Sequence, residues 1–234
     1  MPTSWEIKES NKVAVCILHT ETSSIAWSRG YRDLKLPGRE DLRTFDPFFF
    51  QTGTPYDHGR NLSVSYMLQN GADWWFGLDS DLVWPRDIVP RLIQQSETHR
   101  IPVISGMYFR RSPPHSLPVA IRGGTWLQDY KPGSLVPVDL VGAGGLLIHR
   151  SVFERLKYSR PEAGKTYFDW RVDARGCSPF PDNECMSEDF TLMLNIRKQL
   201  GIMPVLDTSI IGRHIGFCEF GPNGPQPCQV LPVA

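Results

Sequence analysis

The chain has 234 residues, 41% of them hydrophobic, and its 25 Lys+Arg balance 25 Asp+Glu. That length supports one domain with a full core, and electroneutrality removes any bulk electrostatic argument for nucleic acid or an anionic membrane as partner. No apolar run approaches the ~20 residues of a transmembrane helix, the start MPTSWEIKESNK is too polar for a signal peptide, and the five irregularly spaced cysteines (Cys16, Cys177, Cys185, Cys218, Cys228) read as free thiols of a soluble, cytoplasmic protein rather than a zinc or redox centre.

Lys12 to Thr20 (KVAVCILHT) is apolar and β-branched, and predicts a buried first strand. From Trp27 to Asp46 the sequence is mixed and charged with no clear period, and its middle is expected to be loop; Phe48 to Gly53 reads as a second strand. Val64, Met67 and Leu68 in Gly59–Gly71 mark a helix that stops at Asn70-Gly71. Trp74 onward (WWFGLDSDLVWP) is a strand, Pro85 to Arg100 an amphipathic helix delayed by Pro90, and Ile101 to Phe109 another strand. This alternation predicts an α/β fold with a mostly parallel central sheet flanked by helices, whose ligands bind outside the carboxyl ends of the strands. Arg110 to Pro137 is loop-rich. Val138 to Leu156 predicts a strand, a glycine-rich bend, a second apolar run and a short helix. A further helix runs from the cap Ser187 to Gly201, Ile202 to Gly216 is a strand with a turn, and the Pro- and Gly-rich tail from Gly221 should lack regular structure.

Asp79 and Asp81 end an aromatic strand one residue apart. In extended chain both point to one side and Ser80 to the other. Two like charges there call for a cation, and hard oxygen ligands suit Mg²⁺ or Mn²⁺. An ordinary reading also fits, in which Asp81 caps the next helix and Asp79 sits in a polar turn.

The stretch RNLSVSYMLQNGADWWFGLDSDLVWP, followed in order by VDLVGAGGLLIHRSVFERL, SEDFTLMLNIRKQLG and IIGRHIG, resembles GT-A fold glycosyltransferases of the family 2-like type, with the likeness spanning roughly Val13 to Gly216. The resemblance implies one catalytic domain over 1–234, its nucleotide-sugar half at about 1–111 and its acceptor half at 112–234. It implies that Asp81 ligates the metal, that Asp79 contacts the ribose or a metal-bound water, and that His214 reaches back to the same ion. The same resemblance makes Asp189 the catalytic base and Glu188 a second candidate that orients the acceptor, with inversion at the anomeric carbon. The implied donor site comprises Thr20, Glu21, Arg60, Asp79, Ser80, Gly144 and Gly145, with Arg60 meeting the diphosphate or uracil, Asn61 a polar group at the helix start, and His19 beside the base.

Plainer roles exist for each: an exposed arginine, a half-buried histidine, acids favouring a helix N-terminus, glycines in close packing. The implied donor is a UDP-sugar, by default UDP-glucose, used with Mn²⁺ or Mg²⁺. Small unanchored enzymes of this type occur in bacteriophages and bacteria, where acceptors include glycans, proteins and hydroxymethylated pyrimidines in DNA. Arg110, Arg111, Arg122, Arg171 and Arg175 lie near the expected acceptor side, and Trp126 and Trp170 are candidates for stacking on a sugar or base. A nucleotidyltransferase would share sheet and carboxylates but lacks a phosphate loop here, and a binding module without turnover is the non-enzymatic alternative.

Overall fold

The computed structural model describes residues 11–18, 24–37, 45–111, 116–158, 166–170, 186–215, 218–221 and 224–227, the last two segments for backbone only. The strands are β1 (Val13–Leu18), β2 (Phe48–Gln51), β3 (Trp74–Asp79), β4 (Leu82–Val83), β5 (Val103–Met107), β6 (Ala120–Arg122), β7 (Thr125–Trp126), β8 (Leu135–Pro137), β9 (Leu140–Val141), β10 (Leu146–His149), β11 (Val205–Ile211), β12 (Arg213–Ile215), β13 (Cys218–Gly221) and β14 (Gly224–Pro227). The helices are α1 (Ile25–Arg32), α2 (Tyr56–Gln69), α3 (Ile88–His99), α4 (Arg150–Arg155) and α5 (Glu188–Leu200).

A seven-stranded sheet in the order β2-β1-β3-β10-β5-β11-β8 carries the fold. Every residue of β1 is buried because both faces of this strand are covered. Its even positions, Ala14, Cys16 and Leu18, pack with Val64 and Met67 of α2, Phe153 of α4 and Leu192 of α5. Its odd positions, Val13, Val15 and Ile17, join Trp27 of α1 and Ile88 and Leu92 of α3 on the other face. The expected α/β architecture, a mostly parallel sheet between helices, is therefore present: β1, β2, β3, β5 and β11 all run one way. The alternation did not reveal that β10 inserts antiparallel between β3 and β5, with Leu147 opposite both Phe76 and Ile104. Strands from both expected halves thus share one sheet.

One helix was not foreseen and two local expectations are corrected. α1 overlaps the start of the Trp27–Asp46 stretch and is capped by Ser24, whose Oγ accepts from Trp27 N at 3.0 Å; its period is hidden because only one helical residue, Trp27, is buried. The Arg110–Pro137 stretch contains a β6–β7 hairpin turning on Gly123 and Gly124 at φ +61° and +78°, the left-handed region that glycine tolerates. The tail pairs as β14 on β13 in a small sheet ordered β14-β13-β12-β4. Pro225 and Pro227 fit there because β14 is an edge strand, where residues two apart can direct a missing N–H away from the partner.

Helix boundaries follow local chemistry. Pro90 falls in the first turn of α3, where no intrahelical donor is required, and α5 ends at Gly201 with φ +66°. No described helix is long and apolar enough to cross a membrane.

Candidate active site

A cleft of about 560 Å³ opens at the carboxyl ends of β1 and β3. Arg60, one turn into α2, lies on its floor, 5% exposed. Its Nη1 donates to Glu188 Oε1 of α5 at 2.7 Å and its Nη2 to Asp79 Oδ1 at 3.0 Å. Arg60 was expected to contact donor phosphates or base, or to be an ordinary exposed arginine. Instead both arms of its fork are committed to carboxylates, and the two anionic neighbours hold the guanidinium firmly charged against its burial. Burial raises the Glu188 carboxyl to about 7; Arg60 opposes this and Asp189 adds to it. Asp79 is likewise raised, by burial first and by Asp81 and Asp189, with Arg60 pulling back.

Asp81 does not continue the strand. β3 stops at Asp79, and Ser80 and Asp81 form a turn into β4. Nor does Asp81 cap α3, which begins seven residues later. The pairing of β4 with β12 sets His214 opposite Leu82, and Ile215 N donates to Asp81 O at 2.7 Å. That register brings His214 Nε2 to 3.3 Å from Asp81 Oδ2, while Arg111 Nη1 approaches the same oxygen at 2.9 Å. Partial burial opposes ionisation of Asp81, but the contact with His214 and the charge of Arg111 hold its carboxyl below the usual range.

The other ring nitrogen of His214, Nδ1, lies 2.8 Å from Phe109 O. A carbonyl only accepts, so Nδ1 carries a proton, and Nε2 is the ring nitrogen turned to Asp81. A proton or a metal ion on Nε2 makes its approach to a carboxylate oxygen favourable.

Asp189 is half-buried in the same cleft. Its Oδ1 accepts from Ser187 Oγ and, at 2.8 Å, from Phe190 N, and its Oδ2 accepts from Ala143 N at 3.2 Å. Ser187 therefore orients Asp189 instead of capping the helix backbone with its side chain.

Asp79, Ser80, Asp81, Glu188, Asp189 and His214 all line one cleft, although 135 residues separate the first from the last. The three expected metal ligands are not preassembled: among the described residues no group of three His, Cys, Asp or Glu converges as a metal centre, since Asp79 Oδ1 is held by Arg60. Asp81 and His214 nevertheless offer an oxygen and an imidazole nitrogen suited to a divalent ion. Four carboxyl groups (Asp79, Asp81, Glu188, Asp189) outnumber two guanidinium groups (Arg60, Arg111) in the described lining, which favours a cation.

Gly144 and Gly145 are not among the lining residues. A Cβ on Gly145 would meet Trp84 Cζ2 at 2.1 Å, and one on Gly144 would meet Leu82 Cδ1 at 2.3 Å and Asp79 Oδ2 at 2.6 Å. These glycines serve close packing beneath the site, the plainer of their two expected roles; Trp84 Nε1 pins the bend by donating to Gly144 O at 2.8 Å. Trp126 is also absent from the lining, and Arg110 stacks over its ring at 4.3 Å. Trp170 does line the cleft. His19, Thr20, Glu21, Arg171 and Arg175 lie outside the described residues.

Sequence reasoning missed the roles of Arg111 and Asn61. Asn61 sits inside α2, not at its start. Its Oδ1 accepts from Thr166 Oγ1, Tyr167 N and Phe168 N at 2.9–3.1 Å, and its Nδ2 donates to Phe168 O at 2.8 Å. No sequence signal announces a clamp made with a segment more than a hundred residues away.

No family model and no curated protein matches the chain. Among solved structures, the crystal structure of A197 from STIV superposes with a TM-score of 0.58 at 13% identity, covering 95% of this chain and 98% of that one. The likeness is one of fold.

Proposed function

We propose that the protein is a GT-A type glycosyltransferase, dependent on Mn²⁺ or Mg²⁺, that moves a sugar from a UDP-sugar to an acceptor hydroxyl with inversion. UDP-glucose is the default donor, and the site of action is the cytoplasm, that of the host if a phage encodes the chain. The observation that carries the reading is the 3.3 Å approach of His214 Nε2 to Asp81 Oδ2 in the cleft that also holds the Arg60-linked carboxylates and Asp189.

Asp81 and His214 are the residues that would hold the ion, and a bound divalent ion supplies charge neutralisation to the departing diphosphate. The Phe109 carbonyl fixes the histidine tautomer that leaves Nε2 available. Asp189, with its rotamer locked by Ser187 and two backbone N–H groups, accepts the proton of the acceptor hydroxyl as that oxygen bonds to the anomeric carbon. The anomeric carbon–oxygen bond to the diphosphate breaks on the opposite side, and UDP leaves with the electron pair. Glu188 and Asp79, tied through Arg60, hold the cleft floor in register and provide acceptor oxygens for sugar or ribose hydroxyls.

Calorimetric titration of UDP into the protein, with Mn²⁺ and again with chelator, tests the donor site. Binding that requires Mn²⁺ supports it. Absence of binding under both conditions overturns it.

A further inference from the structure

The wall of the cleft contributed by α2 and by the 166–170 segment carries two exposed aromatic side chains, Tyr56 at 52% and Trp170 at 41% exposure. Tyr56 stands one helical turn before Arg60, on the same face of α2. Trp170 follows a segment held with unusual firmness. Asn61 makes four hydrogen bonds to residues 166–168; Phe168 is fully buried between Trp75 and the Arg60 guanidinium, and Asp169 is fully buried beside it. The chain is anchored through Phe168, and two residues on, Trp170 presents its indole at the cleft. An indole exposed at a cleft offers a flat face to a ligand.

The polar groups beside these rings define what the ligand is. Glu188 and Asp189, on α5, line the same cleft, and Arg60 and Arg111, the guanidinium groups of the described lining, are each already paired with carboxylates. Carboxylates accept from hydroxyl groups and repel phosphates. Aromatic faces bind the C–H faces of pyranose rings, whose edges carry those hydroxyls. We propose that Trp170 and Tyr56 form the acceptor subsite and that the acceptor is a neutral carbohydrate, its ring stacked on Trp170 with one hydroxyl directed to Asp189. This rests on the glycosyltransferase reading and selects the glycan acceptor over modified duplex DNA, because each guanidinium of the described lining is already paired with a carboxylate and none is left for a phosphate backbone.

The test uses the full chain with UDP and Mn²⁺. Binding of cellotetraose, maltotetraose, mannotetraose and a hydroxymethylated duplex oligonucleotide is followed by calorimetry and by indole fluorescence, for the wild type, Trp170→Ala and Trp170→Phe. The expected result is binding of at least one tetrasaccharide, weakened about tenfold in Trp170→Ala, the loss of one stacked aromatic contact, and largely restored in Trp170→Phe, with UDP affinity the same in all three. If UDP binds but no tetrasaccharide does, or if Trp170→Ala binds as tightly as the wild type, the acceptor subsite is overturned and the donor reading stands. Preferential binding of the oligonucleotide overturns the carbohydrate assignment. Failure of UDP itself to bind overturns both.

Discussion

Arg60 and Glu188, 128 residues apart in sequence, meet at 2.7 Å in the floor of the cleft, each side chain 6% exposed. The contact ties α2 to α5 across the end of the central sheet, and the second arm of the guanidinium extends the tie to Asp79 at the end of β3. One side chain thus fixes the relative positions of three elements and pairs with a carboxylate on two of them. Its charge makes their convergence tolerable.

Loss of that charge should therefore be costly. Arg60→Met leaves Glu188 buried beside Asp189 without a counter-ion, and breaking a buried pair in this way costs ~3–5 kcal/mol. Urea unfolding at neutral pH measures it. A loss under 1 kcal/mol would mean that the ion pair has no structural role.

The wild type carries a pH signature of the same cluster. Glu188 has a folded-state pKa raised from 4.5 to about 7. A carboxyl raised on folding favours the folded state when protonated, so its contribution is full below pH 4.5 and is lost as pH climbs to about 7. Unfolding free energy should decline through that window with a slope of at most ~1.4 kcal/mol per pH unit from this group. Glu188→Gln should flatten the decline. An unchanged slope in the variant would assign it to other groups.

Asp189, the proposed base, differs from Glu188 in its surroundings. It is half-exposed in the cleft, whereas Glu188 is bound to Arg60. Asp189→Asn should lower transfer by about 10²–10⁴-fold, the range of a general base, with UDP affinity changed less than threefold. Retention of wild-type turnover would exclude it as the base.

Much of this was legible in the sequence where the signal is local. The apolar run of β1, the Asn70-Gly71 stop of α2 and the Gly201 stop of α5 rest on propensity and capping, which act within a few residues; Ser187 marks the start of α5 although its side chain is spent on Asp189. The carboxylates and His214 were found because their spacing and order form motifs. What escaped depends on long-range pairing: β10 entering antiparallel between β3 and β5, Arg60 turning inward to two acids, and Asn61 clamping residues 166–168. Glycine is the ambiguous case, since Gly144 and Gly145 promise close approach without saying to what, and the partners are Asp79, Leu82 and Trp84.

The Asp81–His214 pair predicts a stability response to metal. Mn²⁺ at a hundredfold excess over its dissociation constant should stabilise the fold by about 2.7 kcal/mol, a rise in Tm of ~5–10 °C for a chain of this size. The readout is the difference between Mn²⁺ and chelator within each variant, so any intrinsic cost of a substitution cancels. Asp81→Asn and His214→Ala should each remove most of the rise. Equal rises in all three proteins would assign the ion elsewhere.

The glycine bend supplies a test of packing against ligand contact. Gly145→Ala drives a Cβ to 2.1 Å from the Trp84 indole, which is itself pinned by its hydrogen bond to Gly144 O and has little freedom to yield. Overpacking of this kind costs ~1–3 kcal/mol. Gly123→Ala is the control: no atom lies within 4 Å of its Cβ, and only the φ of +61° opposes the substitution, at ~1–2 kcal/mol. Denaturant melts should show both losses, while UDP affinity of the folded protein stays at the wild-type value in each. A Gly145→Ala protein of undiminished stability but weakened UDP binding would reverse the assignment, making the bend a donor contact instead of a packing device.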